Sequence, residues 1–158
     1  MPNLRLDGSI AQDDWVLTDD PAGATAAGAV LTASAYLAAG APDGVTQIAL
    51  EATDDVSALA PHLHKLQGVG IVFAGFMDGR GFSQARQLRE HCGYTGPLRA
   101  LGLFMRDQLF YLKRCGFDSF ALGENVEAEP AVAVSLRDFT EVYQAGADQS
   151  LPLFRRRH

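Results

Sequence analysis

Cysteine is scarce in this chain: Cys92 and Cys115 are the only two in 158 residues. They are too few for a disulfide framework and do not form a CxxC pair, so reduced thiols in a reducing compartment are expected. Nor do two separated thiolates hold a typical iron–sulfur cluster, which takes about four. Long apolar runs are missing too. The longest weakly polar stretch, Gly28 to Ala41, has 14 residues and contains Thr32, Ser34 and Tyr36, short of the ~20 residues a membrane helix needs. No membrane span is expected. The first twenty residues lack the basic start and apolar run of a secretory leader and carry Asp7, Asp13, Asp14, Asp19 and Asp20 instead, so the expected location is the cytoplasm. What remains is 47% apolar and 20% charged, a globular composition that excludes a disordered acidic tail, a collagen-like repeat and a coiled coil. The length suits one domain with its own core.

Charge is unevenly placed. Of the net −6, residues 1–77 hold −7, residues 78–114 hold +4, residues 115–154 hold −6, and Arg155, Arg156 and Arg157 add +3. The basic island is made by Arg80, Arg86, Arg89, Arg99, Arg106, Lys113 and Arg114. An acidic protein repels nucleic acid at long range, which excludes a broad nucleic-acid surface and leaves a local pocket for a small anion open. The plainer reading of the island is solvated helix faces and ion pairs.

A weak internal repeat guides the fold. His64-Lys65-Leu66-Gln67-Gly68, Arg89-Glu90-His91-Cys92-Gly93 and Lys113-Arg114-Cys115-Gly116 each read as a helix end closed by glycine, followed by a short apolar segment and another glycine. A glycine after a helix supplies the left-handed C′ conformation, and basic residues before it suit the negative end of the helix dipole. Residues Val56, Leu59, Leu63, Leu66, then Phe82, Ala85, Leu88, Cys92, then Met105, Leu109, Leu112, Cys115 follow the 3.6 period of amphipathic helices. Strands are predicted at Ala29 to Thr32, Ile48 to Leu50, Ile71 to Ala74 and Ser119 to Leu122, with a short helix through Tyr36 and Leu37 and a last helix near Leu136 to Tyr143. About five βα units with a mostly parallel sheet result. An open doubly wound sheet is preferred, and part of a βα barrel is the alternative, a complete eight-unit barrel being too long for the chain. Residues 1–28 are expected to be an extension with an edge strand at Trp15 to Thr18, residues 29–143 the α/β domain, and residues 144–158 a polar mobile tail.

The segment from Gly75 to Arg86 follows a predicted strand and opens a helix, where α/β proteins place ligands. It lacks GxGxxG and the GxxxxGK[ST] loop, so a nucleotide is not indicated. Arg80 and Arg106, each a few residues past a strand, are the candidate anion clamp together with Arg99, supported by Asp78, Arg86 and Asp107. The structural alternative has Asp78 capping the helix and Arg80 answering a carboxylate. Arg99 lies inside an otherwise apolar strand and needs a partner, for which Glu51 and Asp78 are the candidates. His62 and His64 point to different helix faces, so no metal site is expected. Both cysteines read as small core residues, and no nucleophilic triad or cofactor motif is recognisable.

Through Asp78-Gly79-Arg80-Gly81-Phe82-Ser83-Gln84-Ala85-Arg86-Gln87-Leu88-Arg89, Gly96 to Ala100, and Arg106 to Phe120, the chain resembles a bacterial family known as domain of unknown function 934. The resemblance is close over residues 70–122 and looser over 29–69 and the last helix. It implies an association with sulfite or nitrite reductase and with assimilatory sulfate reduction, which is a pathway and not a reaction, and it transfers no catalytic residue. The leading expectation is an accessory protein of sulfite reduction that contacts a reductase or other sulfur-assimilation enzyme, or handles a small oxyanion, with no redox cofactor of its own. The rivals are a small enzyme acting on an anionic metabolite at the strand ends and a structural partner of an assembly. Whether the protein is an enzyme, and its oligomeric state, stay open at this point.

Overall fold

The computed structural model describes residues 2–12, 15–25, 28–123, 130–139 and 141–156. Arg157 and His158, the end of the expected tail, lie outside the described residues. Eight strands form one sheet: β1 (Pro2–Arg5), β2 (Ile10–Gln12), β3 (Val16–Thr18), β4 (Ala29–Thr32), β5 (Gln47–Leu50), β6 (Gly68–Phe73), β7 (Leu98–Gly102) and β8 (Ser119–Ala121). Their order is β2-β1-β8-β7-β6-β5-β4-β3. Strands β3 to β8 are parallel, and β1 closes the row by antiparallel pairing to both β8 and β2. The sheet curls into a half-barrel.

Helices return the chain between the parallel strands: α1 (Ala33–Ala38) after β4, α2 (Val56–Leu59, running on as a 3-10 helix Ala60–Lys65) after β5, α3 (Arg80–Arg86, continued by a π-helical stretch Gln87–His91) after β6, and α4 (Leu109–Arg114) after β7. A 3-10 stretch, Pro130–Arg137, follows β8. The alternation of strand side chains decides how these elements pack. Leu31, Ile48, Leu50, Val69, Ile71, Leu98, Ala100 and Phe120 share one face by register. They form a single core with Tyr36, Val56, Leu59, Leu63, Leu88, Leu109, Leu112, Val132 and Leu136 of the helical segments. The other face holds a small cluster, Val30, Ala49, Leu101 and Ala121, with Trp15 and Val72 against it.

Among the described residues the helices pack on one face, so the preferred doubly wound sheet, which needs them on both, is not what is seen. The partial βα barrel is the arrangement observed. Small residues explain how the other face is filled: the Trp15 indole lies over Gly68 and Gly70, where an added Cβ would meet it at 3.7 and 3.1 Å. Gly68 is therefore a strand residue and not the helix C′ residue that the repeat predicted. Its counterparts Gly93 and Gly116 do take left-handed backbone, with φ of 64° and 101°, as the repeat requires.

The predicted edge strand occurs at Val16–Thr18, on the outer side of β4. The hairpin of β1 and β2 has no counterpart in the sequence reading, because three- and four-residue strands show too little alternation to count. The expected last helix is displaced toward the N-terminus, starting at Pro130, a residue suited to a first helical turn. From Gln144 the chain is folded back onto α4: the Arg114 guanidinium donates to the Gln144 carbonyl, and the Ala147 amide donates to the Arg114 carbonyl at 2.9 Å.

Candidate functional site

Six parallel strands bring their carboxyl ends to one edge, and side chains lace the loops there to one another. Thr32 Oγ1, at the end of β4, donates to Asp19 after β3 at 2.6 Å. The buried Gln84 of α3 donates to the carbonyls of Glu51 and Asp54 after β5, at 2.8 and 3.1 Å. Gln108 joins the next two loops: its Nε2 donates to the Phe76 carbonyl at 2.8 Å while its Oε1 accepts from the Met105 amide at 2.9 Å. Arg106 extends the series to the segment after β8, donating to Ser135 Oγ at 2.7 Å and to the Ala131 carbonyl at 3.1 Å. Apart from the local Met105–Gln108 bond, these bonds tie groups 13 or more residues apart in sequence, so together they hold the rim as one unit.

The rim presents apolar side chains. Phe76 and Met77 in the loop after β6, and Leu103 and Met105 in the loop after β7, are exposed, Met77 to 86%. The Gln108 bridge keeps these two loops adjacent. Beneath them the core is aromatic, with Phe73 against Phe82, Phe104 and Phe117 at centroid distances of 5.1, 6.3 and 5.9 Å. Burial of Phe104 next to exposed Leu103 and Met105 is the alternation of an extended segment leaving a sheet.

The residues expected to form an anion clamp are distributed as follows. Asp78 accepts from Arg80 Nε at 2.9 Å, Nη2 at 2.7 Å and the Arg80 amide at 3.1 Å. This pairing holds its carboxyl well below the usual range, at about 2. It is the cap-and-ion-pair alternative of the sequence reading. Arg106 is turned to Ser135 and the Ala131 carbonyl. Arg86 forms an i,i+4 pair with Glu90 at 3.0 Å, and Asp107 is exposed in the turn Arg106–Gln108. Arg99 is buried, 4% exposed, but its described contact is the Trp15 ring, 4.6 Å from guanidinium carbon to centroid. Asp78 is engaged by Arg80 instead, and Glu51 is exposed beyond β5. Arg99 also lies three residues short of the end of β7, about 10 Å along a strand rising ~3.3 Å per residue. The geometry brings Asp78 and Arg80 together, and it leaves Arg99, Arg106 and Arg86 with separate neighbours.

Sequence reasoning missed Arg89, which organises the opposite edge. All five of its N–H groups are used: Nε and Nη2 on the Gly116 carbonyl at 3.0 and 2.8 Å, Nη1 on the Tyr94 and Gly96 carbonyls at 2.7 Å each, and Nη2 on Asp118 at 2.7 Å. It joins the loops that enter β7 and β8. Beside it, a cavity of about 780 Å³ opens between these loops and residues 145–150. Arg86, Arg89 and Lys113 line it with Glu90, Asp118 and Asp148, of which Glu90 pairs with Arg86, Asp118 with Arg89 and Asp148 with Arg114. Gln108 was missed as well, although a glutamine three residues after a helix entry is half of a capping box. Among the described residues no group of three metal-ligating side chains is present.

A one-sided α/β half-barrel with a laced, apolar carboxyl rim defines the class of protein. A family model described as Bacterial protein of unknown function (DUF934) matches residues 47–154, from β5 through the folded-back C-terminal segment. The chain belongs to that family. No curated protein matches the chain.

Proposed function

We propose that the protein is an accessory protein of assimilatory sulfate and sulfite reduction, working by contact with another protein through the carboxyl rim of its half-barrel. One observation carries this reading: the two arginines of that rim are satisfied within the chain, while Phe76, Met77, Leu103 and Met105 are held out to solvent on loops that Gln108 locks together. Exposed apolar side chains gathered on one rigid rim mark interaction sites, and rigid anchors bind at less ordering cost than mobile ones. The pathway comes from the family resemblance. No helix among the described residues is long and apolar enough to cross a membrane, which is compatible with a partner met in solution.

Deletion of the gene should slow growth on sulfate or sulfite as sole sulfur source and leave growth on sulfide or cysteine normal. The wild-type chain should restore growth, and a folded Phe76→Asp/Met105→Asp variant should not. Unchanged growth of the deletion strain on sulfite, or full rescue by the double variant, would refute the proposal. A second reading, oxyanion handling at Arg80 and Arg106, draws on the solvent exposure of both residues. Calorimetric titration with sulfate or sulfite separates the two, because on that reading Arg80→Ala weakens binding about 10- to 150-fold at ~1.5 to 3 kcal/mol per charged hydrogen bond.

A further inference from the structure

On the rim that carries the apolar patch, the loops after β3, β5 and β7 are acidic. Asp19, Asp20, Glu51, Asp54, Asp55 and Asp107 all follow carboxyl ends of parallel strands. Where these carboxylates accept hydrogen bonds, the donors are neutral: the Thr32 hydroxyl and the amides of Ala22, Glu51 and Ser57. None of the six makes an ion pair among the described residues, whereas Asp78 is neutralised by Arg80. Beside these six carboxylates Arg106 is turned to Ser135 and the Ala131 carbonyl and pairs with none of them among the described residues. An apolar centre with a charged margin of one sign is the layout of a protein interface, with the margin choosing the partner by complementarity.

We infer that the occupant of this rim is a protein surface with an apolar socket bordered by lysine and arginine. The inference rests on the docking reading above and adds the chemistry of the partner. Charge argues against the other occupants of an apolar patch. A second copy meeting rim to rim in a two-fold dimer would oppose the same carboxylates. Nucleic acid and anionic lipid carry the same sign as the rim and are repelled. A basic partner is drawn in, and its association falls with salt because the margin charges are exposed.

The test places photoreactive benzoylphenylalanine at position 77 of the full chain and irradiates it in native extract of the host. Glu51→Lys/Asp107→Lys serves as the charge variant, since neither side chain holds a hydrogen bond among the described residues and the fold should be unaffected. The expected result is one protein adduct whose cross-linked peptide lies in a Lys/Arg-rich surface. Its yield should fall roughly tenfold in the charge variant at low salt, equivalent to ~1.4 kcal/mol, and should also fall for the parent chain as salt is raised. An adduct indifferent to salt and to charge reversal overturns the inference and leaves docking standing. Adducts only with a second copy of the chain, with nucleic acid or with lipid overturn the inference too, and the absence of any adduct overturns both.

Discussion

Arg89→Ala should be among the most damaging single substitutions in this protein. The side chain is only 15% exposed, and its five N–H groups reach four acceptors, three carbonyls and the Asp118 carboxylate, which also accepts from the Leu98 amide at 2.8 Å. Removing the hub of this part-buried network strips partners from three carbonyls and a carboxylate at once, a cost of about 3 to 5 kcal/mol. For a chain of this size each kcal/mol moves the melting temperature by about 2 to 4 °C, so the expected loss is about 6 to 20 °C. Arg89→Lys should recover only a minor part, since an ammonium supplies one point of charge where a fork spans two loops. Arg86→Ala is the control. Its partner Glu90 is an exposed i,i+4 neighbour, worth about 0.5 kcal/mol or less. Scanning calorimetry of the three variants beside wild type decides the matter. A loss below about 3 °C for Arg89→Ala, or equal losses for Arg89→Ala and Arg86→Ala, would refute the reasoning.

Gly102→Ala should destabilise strongly: φ is +86° and a Cβ would collide with the Phe73 carbonyl oxygen, adding backbone displacement to the ~1 kcal/mol or more of left-handed geometry. Wild-type-like chemical denaturation would contradict this. The Asp78 carboxyl should titrate near 2 by NMR, and Arg80→Ala should return it toward the ordinary ~3.9. Because its folded value is depressed, the pairing contributes above the unfolded value and is lost as pH falls toward about 2; an unshifted midpoint in the wild type would contradict the pairing. Arg99→Ala should lower the melting temperature and alter the fluorescence of Trp15, the single tryptophan, whose ring the guanidinium covers; an identical emission spectrum would count against that contact.

Much of the architecture was legible because it is written in local patterns. The 3.6 periods around Leu59, Leu88 and Leu112 mark helices whose buried faces meet the core, and Gly93 and Gly116 close two of them in the left-handed geometry that their positions imply. Whether helices cover one face of the sheet or both was not legible, because short strands bury apolar residues on either side and alternation is lost. The deciding residues were Gly68 and Gly70, whose missing side chains admit Trp15, a contact some fifty residues away in sequence. The local structure of the candidate segment was legible, and its contacts were not. Gly75 to Gly79 forms a loop after β6 and Arg80 to Arg86 the helix it opens, yet the lacing depends on Thr32, Gln84, Gln108 and Arg106 reaching partners whose identity no spacing encodes.

The basic island shows why charge read along the chain misleads. Helices packed on one face of a parallel sheet all start at its carboxyl edge and all end at its amino edge, so positive helix poles gather at the first and negative poles at the second. Carboxylates settle at the starts: Asp55 accepts from the Ser57 amide and Asp78 from the Arg80 amide. Cations settle at the ends, where Arg89 takes the Gly116 carbonyl and Lys113 the Leu136 carbonyl. A run of sequence from the end of one helix to the start of the next therefore crosses from one edge to the other. Its arginines are consecutive in the chain and divided in space. An anion approaching the carboxyl rim meets one guanidinium closed by Asp78, another turned to Ser135, and six carboxylates without counter-charge among the described residues, the field from which the proposed basic partner is argued.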